Sequence, residues 1–177
     1  TKNAIFSFSS NGVKRLTFNQ YSTVYQLYYD QRRERILVAT DRGLDVMNAA
    51  DWTLLYRLKS EGVMSVAITA TDYWIGTKNG LLIYNLKKKY ISKVNANYQD
   101  DYSLPSNQIF DLELDNQDGI WIATARGVSY YSLRSHLFKR ARFGSEVGQV
   151  PVGTINDMLL NNEGGSWLAT TTGLYLI

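Results

Sequence analysis

Few residues of this chain are placed to do covalent chemistry. It has one histidine, His136, and no cysteine, so a nucleophile–histidine–acid triad, a thiolate nucleophile and a multi-histidine metal site all lack parts. Asp100-Asp101 is an adjacent acidic pair, but neighbours on a loop need not converge on one substrate atom as an acid and a base must. Two oxygen-rich turns, Asp115-Asn116-Gln117-Asp118-Gly119 and Asn161-Asn162-Glu163-Gly164-Gly165, invite a calcium reading. They fail it, because the third position is Gln or Glu and an apolar strand follows at once, with no distant bidentate Glu. Both read instead as hairpin turn chemistry. No glycine-rich phosphate loop opens a helix. The expectation is recognition without catalysis: no enzyme activity in this chain, no metal site and no cofactor.

Polar residues do recur in one place. Arg42 and Arg126 stand directly before a glycine, and Lys78-Asn79 just before another, in Thr40-Asp41-Arg42-Gly43, Thr124-Ala125-Arg126-Gly127 and Thr77-Lys78-Asn79-Gly80. These turns belong to a repeat that runs the length of the chain. Trp74-Ile75-Gly76-Thr77, Trp121-Ile122-Ala123-Thr124 and Trp167-Leu168-Ala169-Thr170 align without gaps and continue to Gly80-Leu81, Gly127-Val128 and Gly173-Leu174. Leu37-Val38-Ala39-Thr40 is a copy without the Trp, and Thr1-Lys2-Asn3-Ala4-Ile5 is a partial copy with Ala4 in place of Gly. The anchor threonines, at 1, 40, 77, 124 and 170, recur at the ~40–45-residue period of a propeller blade. The segments between them alternate or run as short β-branched stretches instead of following a helical period, which excludes a helical solenoid.

Each repeat carries four short strands, A to D. Strand A contains Val24-Tyr25-Gln26-Leu27, Val63-Met64-Ser65-Val66, Ile109-Phe110-Asp111-Leu112 or Ile155-Asn156-Asp157-Met158. Strand B carries the Trp-x-small-Thr motif, strand C follows the glycine, and strand D is expected over 13–18, 53–58, 90–94 and 136–143. The fold class is all-β, an incomplete arc of four-stranded antiparallel blades from a larger, seven-bladed propeller. Its segments are 1–18, 19–59, 60–95, 96–144 and 145–177. Glycine in the B–C turn supplies positive φ. The small residue before each threonine leaves room for the next blade, and the tryptophan is expected in the core between blades, with Trp121 and Trp167 both buried.

The net charge of +3 is scattered through turns such as Gln31-Arg32-Arg33-Glu34-Arg35 and Leu86-Lys87-Lys88-Lys89, so nucleic acid is not an expected partner. No apolar run reaches the ~20 residues of a membrane span and no signal-peptide pattern opens the chain, so membrane attachment is expected only through segments outside it.

The run Ser103-Leu104-Pro105-Ser106-Asn107-Gln108-Ile109, then Asp115-Asn116-Gln117-Asp118-Gly119-Ile120-Trp121-Ile122-Ala123-Thr124 and Gly127-Val128, resembles the two-component regulator propeller repeat. That resemblance implies the periplasmic sensor region of a Bacteroidetes hybrid sensor histidine kinase, an ectodomain of an inner-membrane protein. It also implies a homodimer in the full-length sensor, other blades or domains of the same protein as partners, and an oligosaccharide ligand. In propellers, B–C and D–A loops gather on one face. Here those loops offer Arg42, Lys78, Asn79, Arg126 and Thr172, with Tyr98, Asp100, Asp101 and Tyr102 in the long insertion 95–106. Arg42, Lys78, Asn79, Arg126, Tyr98 and Tyr102 are the candidate ligand-binding residues, donors and aromatic faces suited to a sugar. Two other functions stand beside sensing. One is a non-catalytic interaction and dimerisation scaffold; the other, a propeller lyase, would need more than His136 for catalysis.

Overall fold

The computed structural model describes residues 4–9, 12–17, 23–97, 99–100, 102–115, 119–140, 154–160 and 166–176. They form five separate sheets, distributed over two compact units, Thr1–Val63 and Met64–Ile177.

In the first unit, β1 (Ala4–Ser9) and β2 (Gly12–Thr17) form an antiparallel hairpin. A four-stranded sheet follows in the order β3 (Val24–Asp30), β4 (Arg35–Thr40), β5 (Gly43–Asn48) and β6 (Leu54–Lys59). The second unit holds the sheet of β7 (Val63–Ile68), β8 (Asp72–Thr77), β9 (Gly80–Asn85) and β10 (Tyr90–Val94). Next come β11 (Ile109–Leu114), β12 (Gly119–Thr124), β13 (Gly127–Ser132) and β14 (Leu137–Arg140), then β15 (Ile155–Leu160), β16 (Ser166–Thr170) and β17 (Gly173–Leu176). Each full sheet is a meander of the A, B, C and D strands. The fourth strand of the β11 sheet ends at Arg140, and the expected continuation to 143 lies outside the described residues.

In β4 and β8 strand B is buried on both faces, which is why its sequence is an unbroken apolar run and not an alternation: Leu37, Val38 and Ala39 in β4, and Tyr73, Trp74 and Ile75 in β8, are all buried. The outer strands β6 and β10 are more exposed and carry the charge.

The repeated threonine closes the B–C turn. Thr40 Oγ1 donates to the Gly43 carbonyl at 2.8 Å and accepts from the Arg42 N–H at 3.2 Å. The same pair of bonds recurs at Thr77, Thr124 and Thr170, with donor distances of 2.6, 2.7 and 2.9 Å to Gly80, Gly127 and Gly173. A buried hydroxyl thus finds both a donor and an acceptor role within its own turn. At Gly43 the backbone has φ +134°, and a Cβ would run into the Leu58 carbonyl oxygen of strand D, so glycine is required by conformation and by close approach. The small residue before the threonine has the expected reason: a Cβ on Gly76 would lie 2.7 Å from Ile109 Cγ2 of the following sheet.

The second unit's core lies between sheets. Trp74 and Leu81 pack with Ile109, Leu112, Ile120 and Ile122, and with Leu104 from the linker. Ala123 and Val128 pack with Ile155, Met158 and Leu168. The tryptophans do not share one fate. Trp74 is 3% exposed and lies against Tyr131, ring centroids 4.6 Å apart. Trp121 is half-buried, and Trp167 is 39% exposed. The expectation that Trp121 and Trp167 are both buried is therefore corrected. A strand-B tryptophan is covered by the sheet that follows it, and Trp167 lies on the face of β15–β17 opposite the one packed on Ala123 and Val128.

Strand A carries a second regular feature. The ladder shifts register between Val24 and Gln26, Ile109 and Asp111, and Ile155 and Asp157. Such β-bulges re-aim the next side chain, and that side chain is polar in every copy: Gln26, Asp111 and Asp157.

Candidate ligand-recognition site

In an antiparallel meander the B–C turn and the D–A linker leave the same end of the sheet. In the first unit the two are joined by backbone bonds from Gly62 N to the Asp41 carbonyl at 3.1 Å and from Ser60 N to the Arg42 carbonyl at 3.5 Å. The result is an open cleft of about 520 Å³ lined by Asp41, Arg42, Arg57, Lys59, Ser60 and Glu61. Arg42, Lys59 and Glu61 are exposed in it.

Arg57 is held by a bidentate pair to Asp45, its cross-strand neighbour on β5: Nε to Oδ1 is 2.5 Å and Nη2 to Oδ2 is 2.9 Å. Asp45 is buried. Burial pushes its carboxyl up to about 6, so at neutral pH it is still the anion that the fork geometry requires. That pair neutralises Arg57 and fixes it as a rigid wall. The cleft then presents cationic donors from Arg42 and Lys59 beside carboxylate acceptors from Asp41 and Glu61. Donors and acceptors so interleaved suit a ligand whose groups both give and take hydrogen bonds, as hydroxyls do.

The second unit places Lys78 and Asn79 in the β8–β9 turn and Arg126 in the β12–β13 turn, all exposed. The D–A linker joins the two turns: Gly80 N donates to the Asn107 carbonyl at 2.7 Å, and Ala125 N to the Gln108 carbonyl at 3.0 Å. The linker is itself tightly bound. Ser103 Oγ donates to the Asn97 carbonyl at 2.6 Å and accepts from the Asn97 N–H at 3.0 Å, Asn107 Oδ1 accepts from the Ala96 N–H at 2.6 Å, and Leu104 is buried in the core. The Ser103-Leu104-Pro105-Ser106-Asn107 motif is thus a scaffold that seats the rim. Tyr102 projects from it, 64% exposed, with its N–H bonded to Asp100 Oδ1 at 2.9 Å. Tyr98 lies outside the described residues, as does Asp101.

Of the candidate residues, Lys78, Asn79, Arg126 and Tyr102 are gathered on one linker-and-turn rim, while Arg42 is in the first unit's cleft. Arg57, Lys59 and Glu61 escaped the sequence reading. Their signal was available for Lys59 and Glu61, which flank the short D–A linker beside the Arg42 turn. Arg57 gave none, because only its alternation on strand D turns it toward Asp45. His136, at the left-handed φ of 56°, occupies the turn before β14 with its Nδ1 3.2 Å from the Tyr131 hydroxyl. Among the described residues there is no group of three or more His, Cys, Asp or Glu side chains able to hold a metal ion. Asp115 closes the β11–β12 hairpin, its Oδ1 accepting from Gly119 N at 2.7 Å.

These successive antiparallel meanders, which in the second unit pack face to face through strands A and B, define blades of a β-propeller. Residues 103–126 match the family described as Two component regulator propeller, so the repeat is present in this chain. No curated protein matches the chain. Among solved structures it is similar to the extracellular domain of BT4673 from B. thetaiotaomicron, described as a hybrid two component system, with TM-score 0.81 and 18% identity over 99% of this chain and 24% of that one. It is also similar to the extracellular domain of BT3049 from the same organism, likewise so described, with TM-score 0.74 and 21% identity over 91% of this chain and 24% of that one. PorZ, a surface component of the type-IX secretion system of Porphyromonas gingivalis, matches with TM-score 0.71 and 16% identity over 99% of this chain and 30% of that one. The chain spans about a quarter of the length of the first two.

Proposed function

We propose that this chain is part of the extracytoplasmic sensor region of a hybrid two-component system, in the periplasm, and that it contributes to binding an oligosaccharide and passing the signal to a kinase outside these residues. The observation that carries the ligand class is the cleft of Asp41, Arg42, Lys59 and Glu61 around the fixed Arg57. Charged donors and acceptors side by side, open to solvent, favour a sugar over an apolar ligand. Lys78, Asn79, Arg126 and Tyr102 offer the same chemistry on the second unit's rim, with the Tyr102 ring as a stacking face. The full-length protein is a homodimer in this reading, with other blades as its partners.

Calorimetric titration of acidic and neutral oligosaccharides against the wild type and an Arg42→Ala/Lys59→Ala variant tests it. Loss of one charge-assisted hydrogen bond of ~1.5–3 kcal/mol weakens binding by about tenfold or more. Equal binding by both proteins moves the site to the rim of Lys78 and Arg126.

A second reading, a non-catalytic interaction scaffold, rests on the exposed apolar row Leu159, Trp167, Leu174 and Leu176 on the β15–β17 sheet. Absence of binding to every glycan favours it.

A further inference from the structure

Within the second unit, the boundary between one sheet and the next is built the same way twice. β7, β11 and β15 are edge strands of their sheets, so alternate N–H groups along them have no ladder partner. Two of these groups find one on the preceding sheet. Leu112 N, the fourth residue of its strand-A motif, donates to Ser65 Oγ at 3.1 Å. Met158 N, at the same position one repeat later, reaches Asp111 Oδ2 at 3.4 Å as well as its own neighbour Asp157 Oδ1 at 2.9 Å. Ser65 and Asp111 are both the third residue of the motif, both are buried, and Ser65 Oγ donates to Asp111 Oδ1 at 2.9 Å. The third side chain of one blade thus accepts from the fourth N–H of the next.

The apolar half of the boundary repeats with it. Ile109 and Leu112, the first and fourth residues, cover Trp74, Gly76 and Leu81. Ile155 and Met158 cover the equivalent Trp121, Ala123 and Val128. The bulge inside each motif is what turns the first and fourth side chains to one face.

One repeat further on, the receiving half of this boundary is present again and open. Trp167 and Leu174 stand where Trp74 and Leu81 do, and both are exposed. Asp157 stands where Ser65 and Asp111 do; it is cross-strand from Ala169, so it lies on the same face, and it too is exposed. Leu159 and Leu176, each cross-strand from Trp167, extend the apolar row.

We propose that this face of β15–β17 is a docking surface for strand A of a further blade of the same protein, bulged, apolar at its first and fourth positions, with its fourth N–H accepted by Asp157. The proposal rests on the reading of this chain as part of a longer sensor region. A sugar leaves the apolar row unmatched, and a flat apolar partner desolvates Asp157 without giving it a donor. A bulged edge strand satisfies both. Asp157 also fixes register, because a strand slipped by one residue presents a different N–H and turns its apolar pair away from Trp167 and Leu174.

The test sets the longer sensor region, this chain together with the repeat that follows it, beside this chain alone. Hydrogen exchange of the β15–β17 amides slows by about tenfold or more in the longer protein. There, Asp157→Ala lowers the urea midpoint by on the order of 0.5 M, Asp157→Asn, which keeps an acceptor oxygen, restores most of it, and neither change moves the midpoint of this chain alone. Unchanged exchange in the longer protein means that no blade docks on this face, and the reading of further blades falls with the proposal. Slowed exchange with a wild-type midpoint for Asp157→Ala keeps that reading and overturns Asp157 as the acceptor. Protection of β15–β17 in this chain alone that rises with protein concentration assigns the face to a second copy and overturns the proposal.

Discussion

The β11–β14 sheet and the β15–β17 sheet are built from the same repeat, residue for residue, yet their matching positions live in different surroundings. Ala123 and Val128 are buried, whereas Ala169 is half-buried and Leu174 is 66% exposed. Thr124 is fully buried and Thr170 is not, although both make the same bond to their turn glycine. Asp111 is clamped between Ser65 and Met158, while its counterpart Asp157 is exposed. The motif therefore specifies each sheet's internal geometry, and burial is conferred by the neighbour that packs on it. A repeat residue has no fixed energetic weight.

Substitution down the tryptophan series sharpens this most. Trp74→Ala removes a ring enclosed by Tyr131, Ile109 and Leu112 and costs about 3–5 kcal/mol in urea denaturation. Trp121→Ala, at the half-buried copy, costs about half of that. Equal losses at both positions break the argument that cover determines weight.

A smaller contrast lies in the turn threonines. Thr124→Val leaves the buried Gly127 carbonyl and Arg126 N–H without their hydroxyl and costs about 1–3 kcal/mol. At Thr170 the same change is compensated by water and costs about 0.5 kcal/mol. Hydrogen exchange at Arg126 and Thr172 N–H reads the difference directly: only the former accelerates strongly.

Smallest of all, Trp167→Ala and Leu174→Ser change the stability of this chain by no more than about 0.5 kcal/mol. A loss as large as that at Trp74 means the β15–β17 face is covered in solution.

Much of the fold was legible because its information is local. Thr-x-x-Gly encodes a turn closed by the hydroxyl within three residues, and a buried apolar run encodes strand B. The A-to-D order follows from those two signals and from the period between them. The candidate site was legible in part. Arg42, Lys78, Asn79 and Arg126 announced themselves by recurring before the turn glycine, whereas Lys59 and Glu61 carry no repeat pattern and were marked only by flanking the short D–A linker.

What the sequence by itself determined about this protein is the blade: four strands, glycine at positive φ, a small residue where the next sheet approaches, and polar turns at one end. Tertiary structure alone decided which tryptophan is enclosed, that Arg57 is spent on Asp45, and that a strand-A aspartate reaches Ser65 and Met158, 46 and 47 positions away. The reason is range. Turn and strand preferences act over a few residues and are written in each copy, whereas burial and the bonds of Asp111 to Ser65 and Met158 arise between segments a full repeat apart, where only the packing of one sheet on another sets the distance.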